Sequence, residues 1–280
     1  MLKEFTRRFS NYLIESKEEF LIYLIPGEII KEHLDWYGKK RAEAFNQYKL
    51  NLKNDIEERD LYYTHMIIFD KKTMEMAGGQ RFLFNKNFLI KNKNHSYLEE
   101  YHPGTYQKLI NKSFCEIGRT FVMPKFKNTK ILRELIRGFV KIPESKNIEI
   151  GLGLISFNNK KLNKISTFSF IDYLEKSKQL SLNLPKGKYA FDIDLSDEIT
   201  KIKYLFEYKN LNSIEKEIQK VDNNFRLPAV LRPYIKLCGL KYEGYSIAKD
   251  YNGIVQLLFS GEYKNISHYP MKIFAPYENL

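Results

Sequence analysis

Cys115-Glu116-Ile117-Gly118-Arg119-Thr120-Phe121-Val122 is a mostly apolar run carrying one carboxylate and stopped by Pro124, the composition of a central strand. Period-two alternation predicts Glu116, Gly118 and Thr120 on one face, with Cys115, Ile117, Arg119 and Phe121 on the other. A carboxylate inside such a strand is expensive unless it is paired or used chemically. Gly118, two residues on and on the same face, leaves room for a ligand beside Glu116. An ordinary buried ion pair is the plainer alternative. Cys115 faces away and reads as a packed thiol.

Upstream, Tyr63–Phe69 and Met76–Phe84 read as a hairpin about the turn Asp70-Lys71-Lys72. The second strand contains Gly78-Gly79-Gln80-Arg81. Close backbone approach beside a guanidinium suits a carboxylate or phosphate ligand, and a bulge followed by a surface arginine explains the same residues. Phe20–Leu24 is a short strand ended by Pro26-Gly27, and Glu28–Leu50 has helical spacing that Gly38 should break or bend. Phe9, Tyr12 and Leu13 give Thr6–Lys17 the pattern of an amphipathic first helix. Tyr97–Ile110 is helical or mixed, with Pro103-Gly104 in its middle.

Downstream, Ile131, Leu135, Ile136 and Phe139 share one face of a helix over Lys130–Val140. Ile148–Phe157 is a second central strand, in which Gly151 and Gly153 leave space on one face. Helices follow over Leu162–Lys176 and Asn212–Val221, then the segment Val230–Leu237 and a hairpin of Tyr245–Ala248 with Ile254–Phe259. The sum is an α/β chain with a mixed central sheet flanked by helices. It reads as one domain over 1–280, with its core at about 20–157 and 226–260 and an elaboration at about 158–225.

The 280 residues are 43% hydrophobic and 29% charged, which excludes a disordered chain. Phe20–Ile30 is too short to span a bilayer, no leader is visible, and two cysteines cannot build a disulfide framework. The expected place is therefore the cytoplasm. The net charge of +12 favours an acidic partner, or is simply a solvated lysine surface. His33, His65, His95, His102 and His268 are scattered without ligand spacing, so no metal is expected, and no P-loop, dinucleotide fingerprint or Gly-x-Ser-x-Gly elbow occurs. Nucleic-acid binding would rest on charge alone and is not expected.

The ordered set Arg41…Asp60…Gly79-Gln80-Arg81…Glu116-Ile117-Gly118-Arg119 resembles the acyl-carrier-protein-dependent branch of the GNAT N-acyltransferases, which includes acyl-homoserine-lactone (autoinducer) synthases and N-acyl amino acid synthases. The autoinducer synthases carry a serine where Gly118 stands. The tail, Leu227-Pro228-Ala229-Val230-Leu231-Arg232-Pro233-Tyr234-Ile235-Lys236-Leu237-Cys238-Gly239 with Asp250-Tyr251-Asn252-Gly253, is similar to the ornithine-lipid (hemolysin-like) N-acyltransferase group. The resemblance covers about 20–157 and 226–260.

What it implies is a GNAT fold with a C-terminal elaboration, no tightly bound cofactor, and a long-chain acyl-phosphopantetheine thioester as donor, on acyl carrier protein or coenzyme A. The acceptor would be the amine of an amino acid or amino-lipid. Aminolysis needs a neutral amine, and Glu116 is the base expected to take its proton. Arg119, Arg81, Asp60 and Arg41 match positions that hold substrate, carrier arm or active-site loops, and any of the arginines suits an acceptor carboxylate. Lys125-Phe126-Lys127-Asn128-Thr129-Lys130 leads into a helix N-terminus that suits the phosphate of the arm through Lys125, Lys127 and Lys130. A Gly-rich pyrophosphate loop is absent there, which favours a carrier protein, and Arg133 and Arg137 extend the basic face toward such an acidic partner.

Trp36 matches an aromatic near the acyl-arm entry, or is a core residue. Phe5 and Phe9, beside Arg7, Arg8 and Lys17, suit peripheral docking on the inner face of a membrane, although a helix packed on the sheet explains them more simply. An autoinducer synthase is the second reading, disfavoured by Gly118 and the tail. A non-catalytic basic module is the third, and would show Glu116 salt-bridged with no adjacent cleft.

Overall fold

The structure, a computed structural model, describes residues 2–47, 50–85, 96–127, 130–157, 164–176, 182–188, 210–228, 230–266 and 274–280. Its strands are β1 (Leu13–Ser16), β2 (Phe20–Pro26), β3 (Thr64–Asp70), β4 (Met76–Phe84), β5 (Phe114–Val122), β6 (Ile150–Phe157), β7 (Lys241–Ala248) and β8 (Ile254–Glu262). They form one sheet in the order β1-β2-β3-β4-β5-β6-β8-β7. Among these neighbours β5 and β6 are parallel and the rest antiparallel. This is the expected mixed sheet, and the hairpin of β7 and β8 completes it beside β6.

The helices are α1 (Leu2–Arg8), α2 (Gly27–Ile30), α3 (Leu34–Asn46), α4 (Tyr97–Tyr101), α5 (Thr105–Lys108), α6 (Ile131–Ser145), α7 (Lys164–Lys176), α8 (Leu211–Val221) and α9 (Leu231–Cys238). β4 is buried along its whole length, as a strand covered on both faces must be. Its even positions face α6: Gln80 donates to the Leu135 carbonyl at 2.9 Å. Its odd positions face α3, with Arg81 bonded to Asp60. Gly138 lets α6 sit close on the sheet, since a Cβ there would lie 2.4 Å from Met66 Sδ.

Gly78 and Gly79 serve packing in the same way. A Cβ on Gly78 would fall 2.7 Å from the Phe121 carbonyl and 2.8 Å from Ile131, and one on Gly79 2.8 Å from the Met66 carbonyl. The ligand reading of this glycine pair is therefore corrected. Gly38 does not break its helix either; it runs inside α3, where a Cβ would collide with Asn54 at 2.1 Å.

The N-terminus departs from the helix expected over Thr6–Lys17. The α-helix stops at Arg8, and Leu13–Ser16 pairs with β2 instead. Two tertiary contacts outweigh the local helical pattern: Asn279 donates to the Ile14 carbonyl at 3.1 Å, and Glu15 receives Arg137. Phe5 and Phe9, each 1% exposed, pack inward, Phe5 against Tyr23, Trp36 and Phe69. Burial of a ring of this size contributes about 1.5–3 kcal/mol, and neither ring is free to enter a membrane. Trp36 stacks on Phe69, which makes it a packing residue. Among the described residues no helix is long and apolar enough to cross a membrane.

Candidate active site

The decisive strand carries a β-bulge. Arg81 pairs with Gly118 and Gly79 with Phe121, so Gln80 faces both Arg119 and Thr120. Arg119 has φ 51°, a left-handed conformation uncommon outside glycine. The extra residue inverts the alternation beyond it. Phe121 turns to α3, its ring 6.1 Å from Tyr37 and 6.0 Å from Phe45. Thr120 turns to the α6 side, where its hydroxyl lies 3.4 Å from Gln80 Oε1. Arg119 joins the face of Glu116, its guanidinium 4.5 Å from the Tyr97 ring and 4.4 Å from the Tyr251 ring. The face assignment made from alternation is corrected for these three residues.

β5 and β6 pair only over Phe114–Ile117 and Ile150–Gly153. Beyond that β5 stays with β4, β6 stays with β8, and the gap between them opens into a cavity of about 500 Å³. Glu116, Arg119, Tyr97 and Gln256 line it on the α3 and α4 side, and Phe139, Val230, Tyr234 and Leu240 on the α6 and α9 side. Gly118 and Gly153 sit at the gap. A Cβ on Gly118 would meet nothing within 4 Å, which is the open space the sequence foretold beside Glu116. The space at Gly151 is filled: Tyr263 lies 2.9 Å from where a Cβ would be, and its hydroxyl donates to the Phe139 carbonyl at 2.8 Å.

Glu116 is 4% exposed. It accepts from the Tyr63 hydroxyl at 2.6 Å, the Ser96 hydroxyl at 2.5 Å, the Leu98 amide at 3.2 Å and the Tyr106 hydroxyl at 3.4 Å. These donors are neutral, so the carboxylate is held by hydrogen bonds beside a cleft and is not salt-bridged among the described residues. Ser96 also caps α4 through the Glu99 amide, so Glu116 fixes the start of that helix. Burial, then the Glu116 charge, pushes the Tyr63 and Tyr106 hydroxyls well above the usual tyrosine range. The same causes raise the Cys115 thiol, which stays protonated on the other face.

Asp60 is fully buried between two arginines. Arg41 reaches its two oxygens at 2.9 and 2.8 Å, and Arg81 donates at 2.7 Å. Arg41 also donates to Asp55 at 2.6 Å and Arg81 to Glu57 at 2.9 Å. Arg119 lies 3.1 Å from Glu57, 3.5 Å from Asp55 and 3.8 Å from Asp250. Burial alone would raise the Asp60 carboxyl; Arg81 and Arg41 outweigh it and hold it well below the usual range. Arg81 and Arg119 line the cavity, whereas Arg41 and Asp60 lie behind that lining. The bidentate partner of Arg41 is thus Asp60 itself.

The basic segment stands apart. Lys125 pairs with Glu75, Lys130 lies 2.9 Å from Glu19, Lys127 is exposed, and none of the three lines the cavity. Arg137 is buried 3.1 Å from Glu134 and donates to the Ala275 and Pro276 carbonyls at 2.8 Å, which removes it from the basic face offered to a partner. Arg226 is the exposed arginine that does line the cavity.

Tyr97, Gln256 and Tyr251 also belong to the lining and carried no signal as site residues. Asp250 and Tyr251 stood in the quoted tail motif, but nothing local marks Tyr97 or Gln256. Tyr97 bonds Asp250 at 3.1 Å and receives Gln256 Nε2 at 3.0 Å, while Tyr101 donates to Asp250 at 2.5 Å. Among the described residues no group of His, Cys, Asp and Glu is arranged to hold a metal ion.

Residues 41–137 match the Acetyltransferase (GNAT) domain family. That span contains the end of α3, then β3, β4, β5 and the start of α6, and the mixed sheet built on them is a GNAT fold. Residues 41–137 are thus an acyltransferase domain of GNAT type. No curated protein matches its sequence. Among solved structures it is similar to the CoA-dependent acyl-homoserine lactone synthase BjaI, bound to SAM and isopentyl-CoA, at 8% identity and TM-score 0.47, over 91% of this chain and 87% of that one. It is also similar to the AHL synthase LasI (10% identity, TM-score 0.45, 92% and 98% covered). A third is FeeM, an N-acyl amino acid synthase from uncultured soil microbes (7% identity, TM-score 0.38, 90% and 97% covered).

Proposed function

We propose that the chain moves a long-chain acyl group from a phosphopantetheine thioester to the amine of an amino acid or amino-lipid precursor. The observation that carries this is the cavity through the β5–β6 gap, which joins an apolar compartment on one face of the sheet to a polar one on the other. An acyl chain suits the first, lined by Phe139, Val230, Tyr234 and Leu240. The thioester carbonyl then lies at Gly118 and Gly153, and the amine approaches from the side of Glu116.

The amine nitrogen attacks the thioester carbon, the C–N bond forms, and the C–S bond breaks to release the thiol. The acceptor's ammonium first gives one proton to Glu116, directly or through water, and the proton that nitrogen loses on attack passes to the departing sulfur, which leaves as the thiol. The Tyr63 and Ser96 hydroxyls can rotate to free a lone pair for it. Cys115 forms no acyl-enzyme, because its thiol is protonated and faces away. Acyl carrier protein is the favoured donor, with Lys125, Lys127, Lys130 and Arg133 exposed toward it. Arg226, on the cavity lining, is the cation that meets the donor phosphate. The acceptor of an ornithine-type lipid is one member of the class.

Mass spectrometry of total lipids from cells expressing the chain tests this, against an Glu116→Gln control. New N-acyl amines present only with the intact protein are the expected result. An unchanged profile with folded protein counts against the reading.

A further inference from the structure

In the polar compartment carboxylates outnumber guanidiniums. Arg41, Arg59, Arg81 and Arg119 stand among Asp55, Glu57, Asp60, Glu100, Asp250 and Glu116, four guanidiniums against six carboxylates, with Arg59 lying 2.5 Å from Glu100 and 3.7 Å from Glu57. A substrate carboxylate placed there would meet an excess of negative charge, and an ammonium would be attracted.

A second observation points the same way. Gln256 is 2% exposed, lines the cavity, and its Oε1 has no partner among the described residues. The orientation of this amide follows from its neighbour. The Tyr97 hydroxyl donates its single proton to Asp250, so it can only accept from Gln256, which must present Nε2 there. Oε1 is left on the other side as a buried acceptor that requires an N–H.

We propose that this compartment is a subsite for an amine of net positive charge without a free carboxylate, and that Gln256 Oε1 accepts one of its N–H bonds. The inference rests on the acyltransferase reading for the cavity's role, and narrows its acceptor to an amine whose carboxyl group is absent or masked. Gln256 is a positioning residue here; Glu116 still takes the proton before attack.

The test is titration calorimetry on the full chain with L-alaninamide and L-alanine, which differ in the masked carboxylate. Alaninamide should bind at least about tenfold more tightly. Gln256→Met should weaken alaninamide by about tenfold, the size of one hydrogen bond to a charged group, and leave acyl-CoA binding within about twofold. Gln256→Glu should restore or tighten alaninamide and weaken alanine further, a reversal that a packing defect would not produce. Binding of alanine as tight as alaninamide, absence of binding for both, or a Gln256→Met effect on acyl-CoA alone would each overturn the proposal. These are binding measurements, so alaninamide binding without acyl transfer would count against the acyltransferase reading and leave the subsite standing.

Discussion

The two faces of the sheet at the β5–β6 gap solve opposite problems. On the α6 and α9 side the wall is Phe139, Val230, Tyr234 and Leu240, which ask only for volume. On the α3 and α4 side the wall rests on Arg41, Asp55, Glu57, Asp60, Arg81 and Arg119, buried or half-buried charges that hold one another. Buried ion pairs of this kind are poor stabilisers when intact and costly when broken. Substitutions on the charged face should therefore act on folding, and substitutions at the gap on turnover.

The largest effect expected is at Asp60. Asp60→Ala leaves Arg41 and Arg81 facing each other without their shared carboxylate, and should cost about 3–5 kcal/mol in denaturant unfolding. A loss below 1 kcal/mol would mean that the network is not what holds this face together.

Acid should act next. Burial lowers His65 and His102 to about 4 each, below the usual imidazole value. A depressed folded value means that the unfolded chain binds the proton first, so stability is full above about pH 6.5 and is lost as pH falls toward 4. Each should remove about 2 kcal/mol between pH 7 and pH 5. Asp55, Glu57 and Asp60, lowered by their arginines against the opposing effect of burial, add further loss below about pH 4. Unfolding curves that stay flat from pH 7 to pH 5 would contradict this.

The glycines separate the two kinds of position most cleanly. Gly78→Ala should destabilise by about 1–3 kcal/mol, through contact with the Phe121 carbonyl and Ile131. Gly118→Val, pointing into open space, should leave unfolding nearly unchanged while lowering acyl transfer tenfold or more. The smallest effect is at the surface. Lys125, Lys127 and Lys130 changed together to Ala should raise the KM for acyl carrier protein in a salt-dependent way and leave that for acyl-CoA unchanged. Equal effects on both donors would move the phosphate contact back to these lysines.

Much of this site could be read from the chain. Glu116 and Gly118 announce themselves, because a carboxylate and a glycine are out of place in an apolar central strand, and strands β2 to β6 follow from periodicity and turn residues. Alternation alone puts Arg119 on the wrong face, because one bulge residue with positive φ inverts everything after it, and nothing in Arg-Thr-Phe marks a left-handed arginine. β1 escapes the local pattern, because the contacts that hold it against helix formation, with Asn279 and Arg137, are far away in sequence. Gln256 gave no signal: an amide in an apolar strand becomes a site residue only when Tyr97, far away in sequence, fixes its orientation.

The most direct test of the account is single-turnover acyl transfer by purified Glu116→Gln protein, with its fold checked by unfolding. Loss of a hundredfold or more in the transfer step, of the size general-base catalysis supplies, is the result predicted. Transfer at nearly the intact rate would show that the carboxylate only anchors α4, and that the base lies elsewhere.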